Sequence, residues 1–296
     1  MDDNEWLAER FEEHRSHLRA VAYRMLGSLA EADDAVQDTW LRLSRAGSGD
    51  IDNLGGWLTT VVARLCLNKL RSRKVRREEA LGVHLPDPVI SLEGTVEPEQ
   101  EALLADSVGL ALLVVLDTLG PAERLAFVLH DVFELPFEDI APLVGRSSEA
   151  ARQLASRARR RIKGAEIAAP EPDLRRQREV VDAFFRAARR GDFEALVGLL
   201  DPDVVHRADF GAKHPALSVV TRGAAEVARL ALRAAPLNAL LHPVLVNGAA
   251  GAVVTVHGRP FAVLGFSVVE GRIVEIDAIA DPERVGRIAA AVLTGE

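Results

Sequence analysis

SSEAARQLASRARRRIK (residues 147–163) follows directly on PFEDIAPLVGRS (136–147), and this junction decides how the first half of the chain reads. Residues 146–163 carry seven Lys/Arg against the single acid Glu149, on a chain whose net charge is −8. Ala151, Leu154, Ala155, Ala158 and Ile162 recur at helical spacing and make a buried stripe. Arg152, Ser156, Arg159 and Lys163 form one exposed row, with Gln153, Arg157 and Arg160 beside it. Ser147 or Ser148 supplies the N-cap. A short apolar-periodic helix, a Gly turn and a basic helix make the outline of a helix-turn-helix, whose second helix enters a DNA groove. On this stretch alone, a helical hairpin with a solvated basic face fits as well. In the DNA-binding reading, Arg152 and Gln153 sit early enough to reach base edges, and the later arginines meet phosphate.

A second cationic stretch strengthens the DNA-binding reading. RLCLNKLRSRKVRR (64–77) has seven basic residues and no acid. Residues 1–165 nevertheless hold 21 basic and 27 acidic side chains, so the basic residues are segregated onto two faces of an acidic body. Such segregation suits two phosphate-contacting surfaces better than a randomly solvated exterior.

Upstream, Leu7, Phe11, His14, Leu18, Val21 and Met25 mark an amphipathic first helix that stops at Gly27. Ser28 and Glu31 read as a capping box opening a second helix. Its stripe is Ala32, Val36, Trp40 and Leu43, which leaves Asp33, Asp34, Gln37, Asp38 and Leu41 outward. A third helix, from about Gly56 to Arg73, buries Leu58, Val61, Val62, Leu65 and Cys66 and turns Arg64, Asn68 and Arg71 away. Residues 82–100, GVHLPDPVISLEGTVEPEQ, carry Pro, Gly and acids without helical period and read as an extended linker.

Composition bounds the rest. Hydrophobic residues make up 48% and charged residues 27% of 296, as in a soluble globular protein of two or three domains. A single Cys66 excludes a disulfide framework and a cysteine zinc site, and suits a reducing cytoplasm. The chain opens without an apolar signal segment, and its longest apolar run is too short to span a membrane. No Gly-rich nucleotide loop or clustered metal ligands are present, so neither a metal nor a cofactor is expected.

Taken in order, RMLGSLAEADDAVQDTWLRL, WLTTVVARLCLNKLRSRK, the acidic linker and LGPAERLAFVLHDVFELPFEDIAPLVGRSSEAARQLASRARRRI resemble the extracytoplasmic-function (group 4) sigma factors of bacteria, over residues 5–165. The resemblance implies a promoter reader that partners core RNA polymerase and promoter DNA. It puts polymerase docking on Asp33, Asp34, Gln37, Asp38 and Leu41, and the −10 surface on Asn68, Lys69, Arg71, Arg73 and Lys74. The −35 helix falls on Ser147, Ser148, Arg152, Gln153, Ser156, Arg157 and Arg160. The linker would thread the polymerase's RNA exit path.

After the Pro-containing join AEIAAPEPDLRRQ, two helices, a strand, a third helix and a run of short strands taken as antiparallel indicate an α+β domain with a curved sheet. Its element order resembles the SnoaL-like branch of NTF2-like cones. The expected organisation is therefore multidomain. Two all-α sigma domains (1–80 and 105–165, joined by a linker at 81–104) are followed by a hinge (166–175) and an α+β NTF2-like cone (176–296).

Sigma factors with such a fused domain form a subgroup that carries WLPEP-like, DGGGK-like and NPDKL-like signatures. This chain has AAPEP (168–172), DFGAK (209–213) and DPERV (281–285). The resemblance implies that the fused domain regulates the sigma half intramolecularly, through Pro170, Glu171, Pro172, Asp209, Gly211, Lys213, Asp281, Pro282 and Glu283. A catalytic cone would need a base and an oxyanion donor to converge. The candidates are His206, Asp209, His257 and Asp277, and the only tyrosine, Tyr23, lies in the other half. The main expectation is a cytoplasmic, non-enzymatic sigma factor. The alternative is a DNA-binding regulator or enzyme whose cone takes a small molecule.

Overall fold

The computed structural model describes residues 3–46, 51–77, 83–94, 109–164, 171–235 and 238–293. The chain divides into a helical unit and a mixed unit, and the division does not follow chain order. Residues 83–94, within the segment 81–104 expected to be linker, belong with the mixed unit rather than with the helices on either side of them in sequence.

In the helical unit, α1 (Asp3–Leu26), α2 (Leu29–Ala46) and α3 (Leu54–Arg77) pack around fully buried Leu18, Met25, Leu43, Leu58 and Val62. Gly27 ends α1 at φ +67°, a left-handed conformation that glycine adopts without steric cost. Half of the expected capping box forms. The Glu31 amide reaches Ser28 Oγ at 3.4 Å, but the Glu31 carboxylate turns to Arg73 on α3. That ion pair fastens α3 to α2, which explains why Glu31 does not close the box.

Four more helices follow: α4 (Gly109–Asp117), α5 (Pro121–Phe127, running into a π-turn at Val128–Val132), α6 (Phe137–Val144) and α7 (Ser148–Gly164). Pro121 stands at the first helical position, where its missing N–H costs nothing. Gly145 closes α6 at φ +66°, and Ser147 Oγ accepts the Ala150 amide at 3.2 Å to start α7. These two caps set the turn of the helix-turn-helix. Arg124, 2% exposed, holds α5 against α1: its Nε donates to the Arg24 carbonyl at 3.1 Å and its Nη1 to Asp117 at 2.8 Å. A buried guanidinium is tolerated because these partners replace water.

The mixed unit begins with α8 (Leu174–Arg190) and α9 (Phe193–Leu199), capped by Asp173 and Asp192. Then come β2 (Leu200–Asp209), a 3-10 turn (Pro215–Leu217), β3 (Val219–Arg222), α10 (Ala224–Ala234), β4 (Ala239–Val246), β5 (Ala249–Val256), β6 (Arg259–Val269), β7 (Arg272–Ile279) and α11 (Pro282–Leu293). The meander β4–β7 turns three times on two residues: Asn247-Gly248, His257-Gly258 and Glu270-Gly271, all at positive φ. Positive φ at both positions is the type I′ pattern that matches strand twist.

One strand pairing departs from the all-antiparallel expectation. β2 runs parallel to β7, as a long connection through a helix permits and a hairpin does not. The sheet order is β1-β4-β5-β6-β7-β2-β3, and β1 is Ile90–Ser91, contributed by the segment expected to be a free linker. The curved sheet wraps α8–α10 around a core that includes Val181, Phe184, Leu196, Leu200 and Ile276. The architecture is thus a unit of packed α-helices and an α+β unit whose seven-stranded sheet packs on helices.

Candidate functional site

On α7 the apolar stripe is buried at Ala151, Ala155 and Ala158, so the row at Arg152, Gln153, Arg159 and Arg160 faces outward. Ser147 is spent on capping and lies exposed, while Ser148 and Ser156 are half-buried. Some of the cations have internal partners. Arg157 donates to Glu123 at 3.0 Å and Arg161 to its other oxygen at 3.1 Å, while Arg159 meets Asp131 at 2.8 Å. Arg152 pairs with Glu149 at 3.1 Å and lies over the Phe137 ring. Gln153 and Arg160 make no ion pair or side-chain hydrogen bond among the described residues.

The basic face of α3 is likewise divided. Asn68 and Arg71 are exposed. Lys69 stands 3.9 Å from Asp34, and Arg73 donates to the Leu26 carbonyl at 2.8 Å besides its Glu31 pair. Arg73 therefore binds three helices together, a role the charge count did not reveal. Lys74 lies on the last turn of α3. On α2, Asp34, Gln37, Asp38 and Leu41 share one helix face, Gln37 and Asp38 lying three and four residues from each end of it, and are all exposed, Leu41 at 42%. Asp33, on the flank of this row, is engaged by Arg19 at 2.6 Å. A mainly acidic row around one exposed leucine is chemically fit to meet a cationic protein surface with an apolar notch.

The strongest polar constellation lies in the mixed unit, and it grips the linker. Asp209 ends β2 at 1% exposure. Its Oδ1 accepts the Gly211 amide at 2.8 Å, and its Oδ2 accepts the Leu85 amide at 2.8 Å and Arg284 Nη1 at 2.6 Å. His84 approaches the same oxygen at 3.5 Å. Arg284 also donates Nε to Asp87 at 2.6 Å and Nη2 to the Leu85 carbonyl at 2.5 Å. One guanidinium thus satisfies two buried carboxylates and a carbonyl, the forked geometry that arginine alone offers.

The signature segments build this clasp by packing on each other. Gly211 sits at φ +79°, and a β-carbon there would lie 1.8 Å from the Asp281 carboxylate. Asp281 in turn caps α11, accepting the Arg284 amide at 2.9 Å, which aims the Arg284 side chain at the linker. Pro282 opens that helix. Residues 85–91 are buried as a continuous run. Pro86 and Pro88 bias it to extended backbone. Its amides then find fixed partners: Val89 N–H donates to Asn247 Oδ1 at 2.7 Å, and the Asn247 amide donates to the Val89 carbonyl at 2.8 Å. Arg178 holds Glu93 at 2.6 Å.

Other residues of the signature segments are placed differently. Lys213 and Glu283 pair with each other on the surface, each mostly exposed, so neither belongs to the clasp. Glu171 ties the hinge to the cone, its amide donating to the Val268 carbonyl at 2.8 Å, and Pro172 follows it. Pro170 lies outside the described residues. Asp209, Gly211 and Asp281 are among the residues that the signature segments single out, whereas Arg284, Asp87 and Asn247 are not. The signal for Arg284 was inside DPERV, since an arginine two residues beyond a helix-opening proline points back over its own N-terminus.

The four catalytic candidates of the cone, His206, Asp209, His257 and Asp277, do not converge. His206 faces a cavity beside Ala208 and Ile276, whereas Arg207, Asp209 and Asp277 alternate to the other side of the strands. Burial, with added repulsion from Glu275, pushes the Asp277 carboxyl up to about 7 despite the facing Arg207. His257 occupies an exposed turn. No helix of the described residues is long and apolar enough to cross a membrane.

Comparison with known proteins agrees with this division. Residues 10–76 match the sigma-70 region 2 family model and residues 109–162 the sigma-70 region 4 model. The chain is 39% identical to the ECF RNA polymerase sigma factor SigJ of Mycobacterium tuberculosis, over 93% of this chain and 91% of that one. It is 37% identical to the probable ECF RNA polymerase sigma factor SigI of the same organism, over 98% of both chains. The crystal structure of M. tuberculosis SigJ superposes with a TM-score of 0.74 at 34% identity, covering 94% of this chain and 97% of that one.

Proposed function

The chain belongs to the extracytoplasmic-function RNA polymerase sigma factors, which direct transcription initiation, and we propose that its C-terminal cone controls that activity by holding the segment between the two sigma domains. The observation that carries this reading is the clasp of Asp209 and Arg284 on residues 84–87. In a sigma factor this segment belongs to the polymerase-bound form. A chain whose linker is fastened elsewhere binds more weakly, in proportion to the fraction of molecules in which the linker is free. Release of the clasp is then the regulated step, and the cone stands in the place of a separate inhibitor.

The remaining roles follow from exposure and charge. Asp34, Gln37, Asp38 and Leu41 meet core polymerase. Asn68 and Arg71 face the opened −10 strand, with Lys69 and Lys74 as flanking charge. Gln153 and Arg152 read the −35 duplex and Arg160 meets its phosphates, while Arg157 and Arg73 serve mainly to hold the helices that carry these groups. The cone contributes binding rather than chemistry, because its carboxylates and His206 lie on opposite faces of the strands. The protein works in the cytoplasm, where its polymerase and DNA are.

Promoter-directed transcription with core polymerase, using the full chain, Asp87→Ala and Asp38→Arg, tests the account. Asp87→Ala should transcribe more at limiting sigma concentration and Asp38→Arg less. Equal transcription by all three would remove both the regulatory reading and the docking face.

A further inference from the structure

Three of the seven cations in residues 146–163 are met by carboxylates from α5 and from the π-turn that follows it. The two carboxylates are placed differently. Glu123 is built into its helix: besides Arg157 and Arg161 it accepts the Gly120 amide at 3.3 Å, and so caps α5. Asp131 stands in the π-turn with its side chain 18% exposed. Its carboxylate makes one hydrogen bond among the described residues, from Arg159 at 2.8 Å.

Arg159 belongs by spacing to the outward row of α7. It follows Arg152 by seven residues, which is two helical turns and about 10 Å along the axis. Its side chain remains 44% exposed, so the guanidinium lies at the surface with the acid beside it. A carboxylate and a phosphate compete for the same guanidinium N–H groups, because both present forked oxygen acceptors.

We infer that Asp131 is a phosphate surrogate for α7: it withholds Arg159 from the DNA backbone and so limits the sequence-independent part of DNA binding. Unlike Glu123, Asp131 caps no helix among the described residues, so its place beside Arg159 is not explained by a cap. Binding then depends more on Arg152 and Gln153, which reach base edges, and less on charge. The inference rests on the reading of α7 as the helix that meets DNA.

The test is fluorescence anisotropy of the full chain on a labelled duplex of arbitrary sequence, which reports sequence-independent contacts, between about 50 and 200 mM salt. Asp131→Asn should bind about two- to fivefold more tightly, as expected for release of one exposed ion pair. Its salt dependence should steepen by about 0.9, for one added phosphate contact. Asp131→Glu should bind like the parent. In a chain that already carries Arg159→Ala, Asp131→Asn should give no gain. Unchanged affinity and salt dependence in Asp131→Asn, or weaker binding by the folded variant, would overturn the proposal. So would a gain that survives Arg159→Ala, since the acid would then act through its charge alone. Arg160→Ala separates this from the reading of α7. Binding equal to the parent's there would overturn that reading and the proposal with it. A loss there, beside an unchanged Asp131→Asn, would overturn the proposal alone.

Discussion

Arg284 and Asp209 meet at 2.6 Å across 75 residues of chain, and the same guanidinium reaches Asp87 at 2.6 Å across 197. The ion pair therefore joins three distant points of the sequence: the end of β2, the start of α11 and the middle of the inter-domain segment. All three side chains are largely buried, so the pairing cannot be dismissed as a solvated surface bridge. Removing one partner leaves an uncompensated buried charge, which costs about 3–5 kcal/mol.

Substitution of Arg284 should consequently release residues 85–91. In Arg284→Ala, hydrogen exchange of the Leu85 and Val89 amides should accelerate at least tenfold, while amides in α1 and α2 keep their protection. Asp87→Ala acts from the linker side and should give the same local acceleration with a smaller loss of cone stability. Unchanged exchange in both variants would mean that the segment is held by its apolar burial alone.

Gly211 should resist any side chain. Gly211→Ala places a methyl group against Asp281 and forces alanine into a left-handed backbone, together worth about 1–3 kcal/mol. The expected result is a lower melting temperature, with faster exchange at Leu85, because the cap that aims Arg284 shifts. A variant as stable as the parent would show that the loop accommodates the contact.

On DNA the two outward residues of α7 should separate cleanly. Gln153→Ala should relax preference at one base pair of the −35 element by about 1–3 kcal/mol. Arg160→Ala should weaken binding to all sequences alike and shallow the salt dependence. Arg157→Ala should chiefly lower stability, by loss of its pair with Glu123, and a specific base preference lost there instead would reassign the reader.

Acid should destabilise the cone through His206. Above pH 6.5 the imidazole is neutral in both folded and unfolded chains and has no effect. Between pH 6.5 and about 4 the unfolded chain takes up a proton that the folded chain refuses, so stability falls as pH falls. The loss approaches about 3 kcal/mol at the lower end. Asp277 acts in the opposite sense, gaining stability as pH falls below about 7, so the two must be separated. Urea unfolding of the full chain and of His206→Leu at pH 7 and pH 5 does this: the variant should lose less stability than the parent. Equal losses would indicate that the ring is solvated.

Much of this was legible in the sequence, and for identifiable reasons. The helical stripes and the Gly stops are local signals, and each became the expected element. The exposed rows at Asp34–Leu41 and Gln153–Arg160 followed from helical spacing alone. Long-range pairings were not legible. Nothing in RLCLNKLRSRK distinguishes Arg73, which ties α3 to Glu31 and Leu26, from Arg71, which is exposed. Likewise LPDPVIS reads as a free linker because its partners, Asn247 and Arg284, lie far along the chain. Lys213 and Glu283 looked like interdomain groups by their place in the signature segments, yet they satisfy each other.

The central claim is that the cone restrains polymerase binding by holding residues 84–93. It is tested most directly by the affinity of the full chain for core RNA polymerase, compared with that of Asp87→Ala. Asp87 lies in the held segment and is not one of the residues of the docking row or of either basic face. The account predicts that the variant binds core polymerase several-fold more tightly, because a larger fraction of its molecules has a free linker. Equal or weaker binding by a folded Asp87→Ala protein would contradict it.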